Sequence, residues 1–190
     1  MDLFLAMKER RSCRKYLPDP IGDEVIEAVV EAATWAPSPL NTQPWEFFVV
    51  TNDEKKALIW LEAERCRRWA LETSGWKWLD TYQAGFLREA PVLIVVVGDP
   101  KKTGVDQFME EGMMGYQAAC SAAIQNMHLA AHASGLGSLW FTLFDKAEMR
   151  QILGIDDAKV PLAVIVLGKK AAEPPVVPRK AVREKTIYVR

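Results

Sequence analysis

The segment RRSCRKY, Arg10–Tyr16, concentrates cationic side chains at one place in the chain. Together with Lys8 and Glu9 it carries a local charge of +4, whereas the whole chain stands at −1. If the opening helix extends this far, Arg10 and Arg14 lie one turn apart on one face, a like-charge pair costing on the order of a few tenths of a kcal/mol. An anion between the two guanidiniums removes that cost. Arginine offers a planar fork that fits phosphate oxygens, and Ser12 can add a hydroxyl to the same anion. The competing reading is a solvated basic helix end, where cations also complement the helix dipole.

A second stretch with chemical potential is WAPSPLNTQPW, from Trp35 to Trp45. Its three prolines stiffen the backbone and hold Ser38, Asn41 and Gln43 at set positions just before a strand-like run. An ordinary proline-rich connection is the alternative. His128 and His132 are one helical turn apart, but Leu-Ala-Ala separates them and no third ligand is evident, so no metal site is expected. Neither GxGxxG nor GxxxxGK[ST] occurs. Gly135-Leu136-Gly137-Ser138 is too short for a dinucleotide fingerprint and precedes a strand. An anion bound here is therefore held by side chains more than by a glycine cradle.

These residues must be positioned by the rest of the chain. Its 190 residues suit one domain, 1–190, and 49% apolar with 26% charged residues is an ordinary globular composition. The aliphatic runs Val92–Val97 and Leu162–Leu167 are far short of the roughly 20 residues of a membrane helix. The N-terminus has its basic residues after the apolar ones, the wrong order for a signal peptide. Cys13, Cys66 and Cys120 are odd in number and form no CxxC, which points to reduced thiols in the cytoplasm. Near-neutral charge gives no support for nucleic-acid binding.

Helical spacing of Leu3, Phe4 and Met7 predicts a helix over 2–11, and Val25, Ile26, Val29, Val30 and Ala33 a second one from Asp23 that stops before Pro37. Glu46–Thr51 reads as a strand. Residues 53–88 are helical in tendency, broken at Ser74-Gly75, and carry Trp60, Trp69, Trp76 and Trp78. These tryptophans suit either a cleft or partner contact, or a cap on the core. Pro91–Gly98 reads as a buried strand, and DPKKTG as a turn. From about Gln107 to Ser134 comes a long buried helix with small residues at its centre, capped by Gly135. Leu139–Phe144 reads as a short strand, Asp145–Leu153 as a helix and Val160–Gly168 as the last long strand. Beyond it, a proline-containing arm leads to strand-like Thr186–Arg190, which has no local partner and could pair with another subunit.

Taken together, RRSCRKY, PSPLNTQPW, IQNMHLAAHASGLGSLW (124–140) and the arm motif PRK (178–180) resemble the nitroreductase-like family of FMN-dependent oxidoreductases, in family order across nearly the whole chain. The resemblance implies an α+β fold: a central mixed β-sheet flanked by helices, in an obligate homodimer. Its C-terminal arm, about 169–190, would extend onto the partner subunit and exchange its strand there. Two FMN sites would lie at the dimer interface. By the same resemblance, Arg10 and Ser12 hold the FMN phosphate, with Arg11 among the cofactor-binding residues. Arg14 lies near the phosphate–ribityl side or the pyrimidine edge of the ring. Pro37, Ser38, Pro39, Leu40 and Asn41 of the partner chain line the flavin, with Gln43 nearby, and Arg179 and Lys180 close on the phosphate. Trp140–Leu143 pass the ring, and a backbone N–H near Leu143 faces N5. Many relatives carry Glu-Gly or a glycine where this chain has Thr142-Leu143.

No protein side chain is then needed as catalytic acid or nucleophile, because the flavin carries the chemistry. The expected activity is transfer of hydride from NADH or NADPH to a small-molecule acceptor, a nitroaromatic or quinone, by ping-pong kinetics. The resemblance also admits a reductive dehalogenase or another flavin-chemistry relative, and a non-catalytic flavin-binding carrier or sensor.

Overall fold

The structure is a computed structural model that describes residues 1–109 and 114–190. Helices α1 (Leu3–Glu9) and α2 (Asp23–Thr34) precede strand β1 (Trp45–Val50). Helices α3 (Asp53–Ser74), α4 (Trp78–Thr81) and α5 (Phe86–Glu89) lead to β2 (Val92–Gly98). Then follow α6 (Gly115–Ala133), β3 (Leu136–Phe141), α7 (Lys146–Leu153) and β4 (Val160–Lys169). The strands form one sheet in the order β1-β2-β4-β3, and each neighbouring pair is antiparallel. A parallel element enters at the edge of β3, where Ser12 bridges Ser138.

The continuous β-branched run of β2 is explained by its place. It pairs on both edges and is buried on both faces. The period-2 alternation of strand side chains divides the core in two. Leu93, Val95 and Val97 face a cluster with Ile59, Leu87, Phe141 and Met149 beneath α3, α5 and α7. Val92, Ile94 and Val96 face the opposite cluster with Ile26, Val29, Ala123 and Met127 of α2 and α6. The alanines of α6 let α2 approach it closely, so the sheet has helices on both faces. Among the described residues, no helix is long and apolar enough to cross a membrane.

Three sequence expectations are corrected. Arg10 has φ −54° and ψ 130°, so α1 ends at Glu9 and the segment after it is extended. The cause is a long-range pairing: Cys13 N–H donates to the Ser138 carbonyl at 3.0 Å and Leu17 N–H to that of Lys169 at 2.9 Å, while Cys13 and Tyr16 are buried beneath. Arg10 and Arg14 are therefore not neighbours on a helix turn. The long helix starts at Gly115, not near Gln107. Gly104–Phe108 form a 3-10 turn instead. Gly104, at φ +78°, sits where an added Cβ would lie 2.6 Å from Pro39.

Strand β3 begins earlier than expected, at Leu136 opposite Lys169, and ends at Phe141. Thr142 and Leu143 thus lie in the loop beyond it. The chain turns there because Asp145 caps α7, accepting the N–H groups of Ala147 (2.8 Å) and Glu148 (3.1 Å). Thr186–Arg190 has no strand partner among the described residues of this chain, and Ile187 and Val189 are 90% and 94% exposed.

Candidate functional site

Extended backbone puts alternate side chains on one side. Arg10, Ser12 and Arg14 accordingly share a cavity of about 230 Å³ with Arg11, Pro175, Val177 and Arg179. The segment can lie this close to β3 because residue 137 is glycine. A Cβ there would come within 2.8 Å of both Cys13 side-chain atoms. Among the described residues, no carboxylate lines the cavity. The Arg10 guanidinium is held below its ordinary pKa, first by burial and then by the charges of Arg11 and Arg179. An anion relieves that repulsion, and a phosphate fits a set of four guanidiniums and one hydroxyl. The two candidate residues of the C-terminal arm differ, since Arg179 lines the cavity and Lys180 does not.

Arg14 also lines a second cavity, of about 380 Å³, with Trp76, Trp78, Tyr82, Trp140, Thr142 and Leu143. Trp78 meets Tyr82 edge-on at 5.4 Å, and Trp76 lies 6.3 Å from Trp78. Burial raises the Tyr82 phenol pKa, and Arg14 beside it pulls the other way. This combination of planar side chains and one cation suits a flat aromatic ligand. It also places part of the tryptophan-rich region: Trp76 and Trp78, 60% and 54% exposed, form a wall of this cavity and do not cap the core. Trp60 lies apart, with the Arg88 guanidinium 4.8 Å above its ring.

The proline-rich loop does not join these cavities within the chain. Leu40, Asn41 and Gln43 all have positive φ, at 52°, 53° and 45°. For a side chain such as leucine this conformation costs on the order of 1–3 kcal/mol and persists only where surroundings enforce it. Here Ser38 Oγ accepts the Gln43 N–H at 3.1 Å, Thr42 Oγ1 donates to the Lys102 carbonyl at 2.9 Å, and Pro39 packs on Gly104. Leu40 is held outward, 79% exposed. The loop is a rigid, outward-facing element.

Two groups were missed at the sequence level. His128, considered there only as a metal ligand and set aside, is buried and stacks on Trp140 at 6.1 Å, with Nδ1 2.7 Å from Ser138 Oγ. Since the Ser138 carbonyl holds Cys13, this pair supports the cationic segment from behind. Burial, then Arg10, lowers the His128 pKa to about 4. The folded chain thus binds this proton less readily than the unfolded chain, so the stabilising contribution is complete above about pH 6.5 and is lost as pH falls towards 4. Urea titrations should show His128→Asn losing about 2–3 kcal/mol less stability than wild type between pH 7 and 4.5. Identical losses would contradict this placement of the proton. The second group is Glu62, buried on α3 and bonded to Arg65, Cys66 and Asp145. Its spacing from Ile59, Ala63 and Cys66 on the buried stripe was the available signal.

An antiparallel sheet between two helical layers, with a cationic cavity at its edge and an aromatic cavity alongside, is an arrangement suited to a planar, phosphorylated ligand. Residues 7–169 match the Nitroreductase family, and the chain belongs to it. A protein of Methanothermobacter thermautotrophicus with the provisional name NADH dehydrogenase/NAD(P)H nitroreductase is 33% identical over 178 residues, 92% of this chain and 80% of its own. An iodotyrosine deiodinase of Thermotoga neapolitana is 26% identical over 95% of each chain. The crystal structure of a provisionally named nitroreductase from Desulfovibrio desulfuricans in complex with FMN has 27% identity and a TM-score of 0.78, covering 100% of this chain and 98% of that one.

Proposed function

We propose that this chain is an FMN-dependent oxidoreductase that takes reducing equivalents from NADH or NADPH and passes them to a nitroaromatic, quinone or similar acceptor. The observation that carries the reading is the convergence of Arg10, Arg11, Ser12, Arg14 and Arg179 on one cavity beside an aromatic one. The FMN complex of the Desulfovibrio relative and the name of the Methanothermobacter relative support it. Bound FMN would supply the hydride chemistry. The protein's own part is to neutralise the phosphate with Arg10, Arg14 and Arg179, to donate the Ser12 hydroxyl, and to enclose the ring edge with Trp140, Thr142 and Leu143.

In this reading the functional unit is a cytoplasmic homodimer of single-domain subunits, residues 1–190. The rigid loop Pro37–Gln43 of one subunit lines the flavin of the other, which gives its outward strain a purpose. The arm from about 169 to 190 extends onto the partner, where Thr186–Arg190 forms its strand and Lys180 approaches the phosphate. Exposed Phe4, Trp35, Leu40 and Phe108 mark the apolar surface available for that association.

A deiodinase-like reading has the Thermotoga relative in its favour. Against it, among the described residues the aromatic cavity is lined by no carboxylate that would pair with the ammonium of an amino-acid substrate. With no nucleotide-binding fingerprint, nicotinamide and acceptor would use the aromatic cavity in turn. Initial rates against NADH or NADPH at several quinone concentrations should therefore give parallel double-reciprocal lines. Intersecting lines would mean simultaneous binding and would overturn the shared-site account.

A further inference from the structure

Glu62 is 6% exposed, and its carboxylate makes four bonds. Arg65 donates to it twice, from Nε at 2.7 Å and from Nη2 at 2.8 Å. Cys66 Sγ–H donates at 3.0 Å and the backbone N–H of Asp145 at 2.9 Å. Burial raises the Glu62 pKa, yet these donors outweigh burial and bring it below the ordinary carboxylate value. A buried, fully bonded anion of this kind holds its partners in one geometry, because releasing any of them leaves charge unpaired.

The partner that matters is Asp145. Its N–H is fixed by Glu62 on α3, while its own carboxylate caps α7. The residues just before it, Thr142 and Leu143, are the side chains shared by the aromatic cavity and a neighbouring cavity of about 270 Å³ that also meets Arg65, Cys66 and Trp69. Leu143 and Phe144 pack on the same core cluster as Ile59 and Ala63, which flank Glu62. The loop following β3 is thus tied to α3 by a charged bond at one end of the cavity wall.

We propose that Glu62 is a positioning residue that pins the Thr142–Asp145 loop against the flavin edge and so sets the rate at which the bound flavin is reduced. This rests on the flavin reading above. It assigns Glu62 no contact with substrate or cofactor. Glu62 acts through the Asp145 N–H and the loop, so its loss affects reduction far more than cofactor affinity, which rests on the arginine cavity that Glu62 does not line.

The test uses the full-length protein and two substitutions. Glu62→Leu fills the same space and removes the acceptor, whereas Glu62→Gln keeps an acceptor oxygen and removes the charge. Hydrogen exchange at the Asp145 amide should accelerate at least tenfold in Glu62→Leu and by less in Glu62→Gln. Stopped-flow reduction by NADH or NADPH should slow about tenfold in Glu62→Leu, with Glu62→Gln intermediate and the FMN dissociation constant within threefold of wild type in both. Faster exchange at Asp145 with an unchanged reduction rate would make Glu62 a structural anchor and overturn the proposal. So would unchanged exchange. If Glu62→Leu does not fold, the same readings on Glu62→Gln decide. A wild-type chain without flavin would defeat the functional reading itself, while the exchange result would still report whether Glu62 holds the loop.

Discussion

Ending the chain at Lys170 is expected to give a protein that no longer dimerises stably and purifies with little or no FMN. The deleted arm carries Val176, Val182, Ile187 and Val189, which are 84%, 78%, 90% and 94% exposed in the single chain. These apolar side chains, spaced along an otherwise polar arm, have little to pack on within the chain. Covering each such side chain contributes roughly 1.5–3 kcal/mol, so a partner surface gains substantially by taking it. The same deletion removes Arg179, one of the guanidiniums lining the arginine cavity. Light scattering and the flavin absorbance of the purified truncation read both effects. A truncated dimer that keeps its flavin would contradict the exchanged-arm arrangement.

Arg10→Ala is expected to weaken FMN binding about 30-fold, equivalent to about 2 kcal/mol for a charge-assisted contact. Arg10 is the member of the set whose pKa is depressed by burial and by its like-charged neighbours. The unliganded chain should therefore lose no stability from the substitution, whereas the FMN complex loses affinity. That opposite response separates an anion site from a structural arginine. Arg10→Lys should recover part of the affinity, keeping the charge but not the fork. Arg88→Ala, over Trp60 and away from either cavity, should leave the dissociation constant unchanged. Equal affinity in wild type and Arg10→Ala would remove the phosphate assignment.

Much of this arrangement was legible in the sequence wherever it depends on local pattern. The all-apolar run of β2, the stripe on α2 and the small residues of α6 specify a central strand and two packed helices through periodicity alone. The cationic set and the stiff proline loop were also visible as residue types. What escaped was set by partners far along the chain. RRSCRKY looks like the end of a basic helix because the residues before it are helical. Its extended form is decided by Ser138 and Lys169 at the sheet edge. The spacing of Glu62 from Ile59 and Ala63 hints that it is buried, but its partner, the Asp145 N–H 83 residues away, is set by the fold. His128 and His132 share a helix face, but Ser138 claims the first of them. The cap at Asp145 moved Thr142 and Leu143 off the strand; Asp145 read locally as a helix start, but the apolar run before it masked where the strand ends.

The central claim is that the arginine cavity holds the phosphate of FMN in a redox-active protein, and the absorbance spectrum of the purified chain, followed by anaerobic titration with NADH and then NADPH, tests it most directly. The account predicts flavin bands near one FMN per chain that bleach on addition of at least one of the two nucleotides. A colourless protein that takes up no added FMN, or a bound flavin that neither nucleotide reduces, would contradict it.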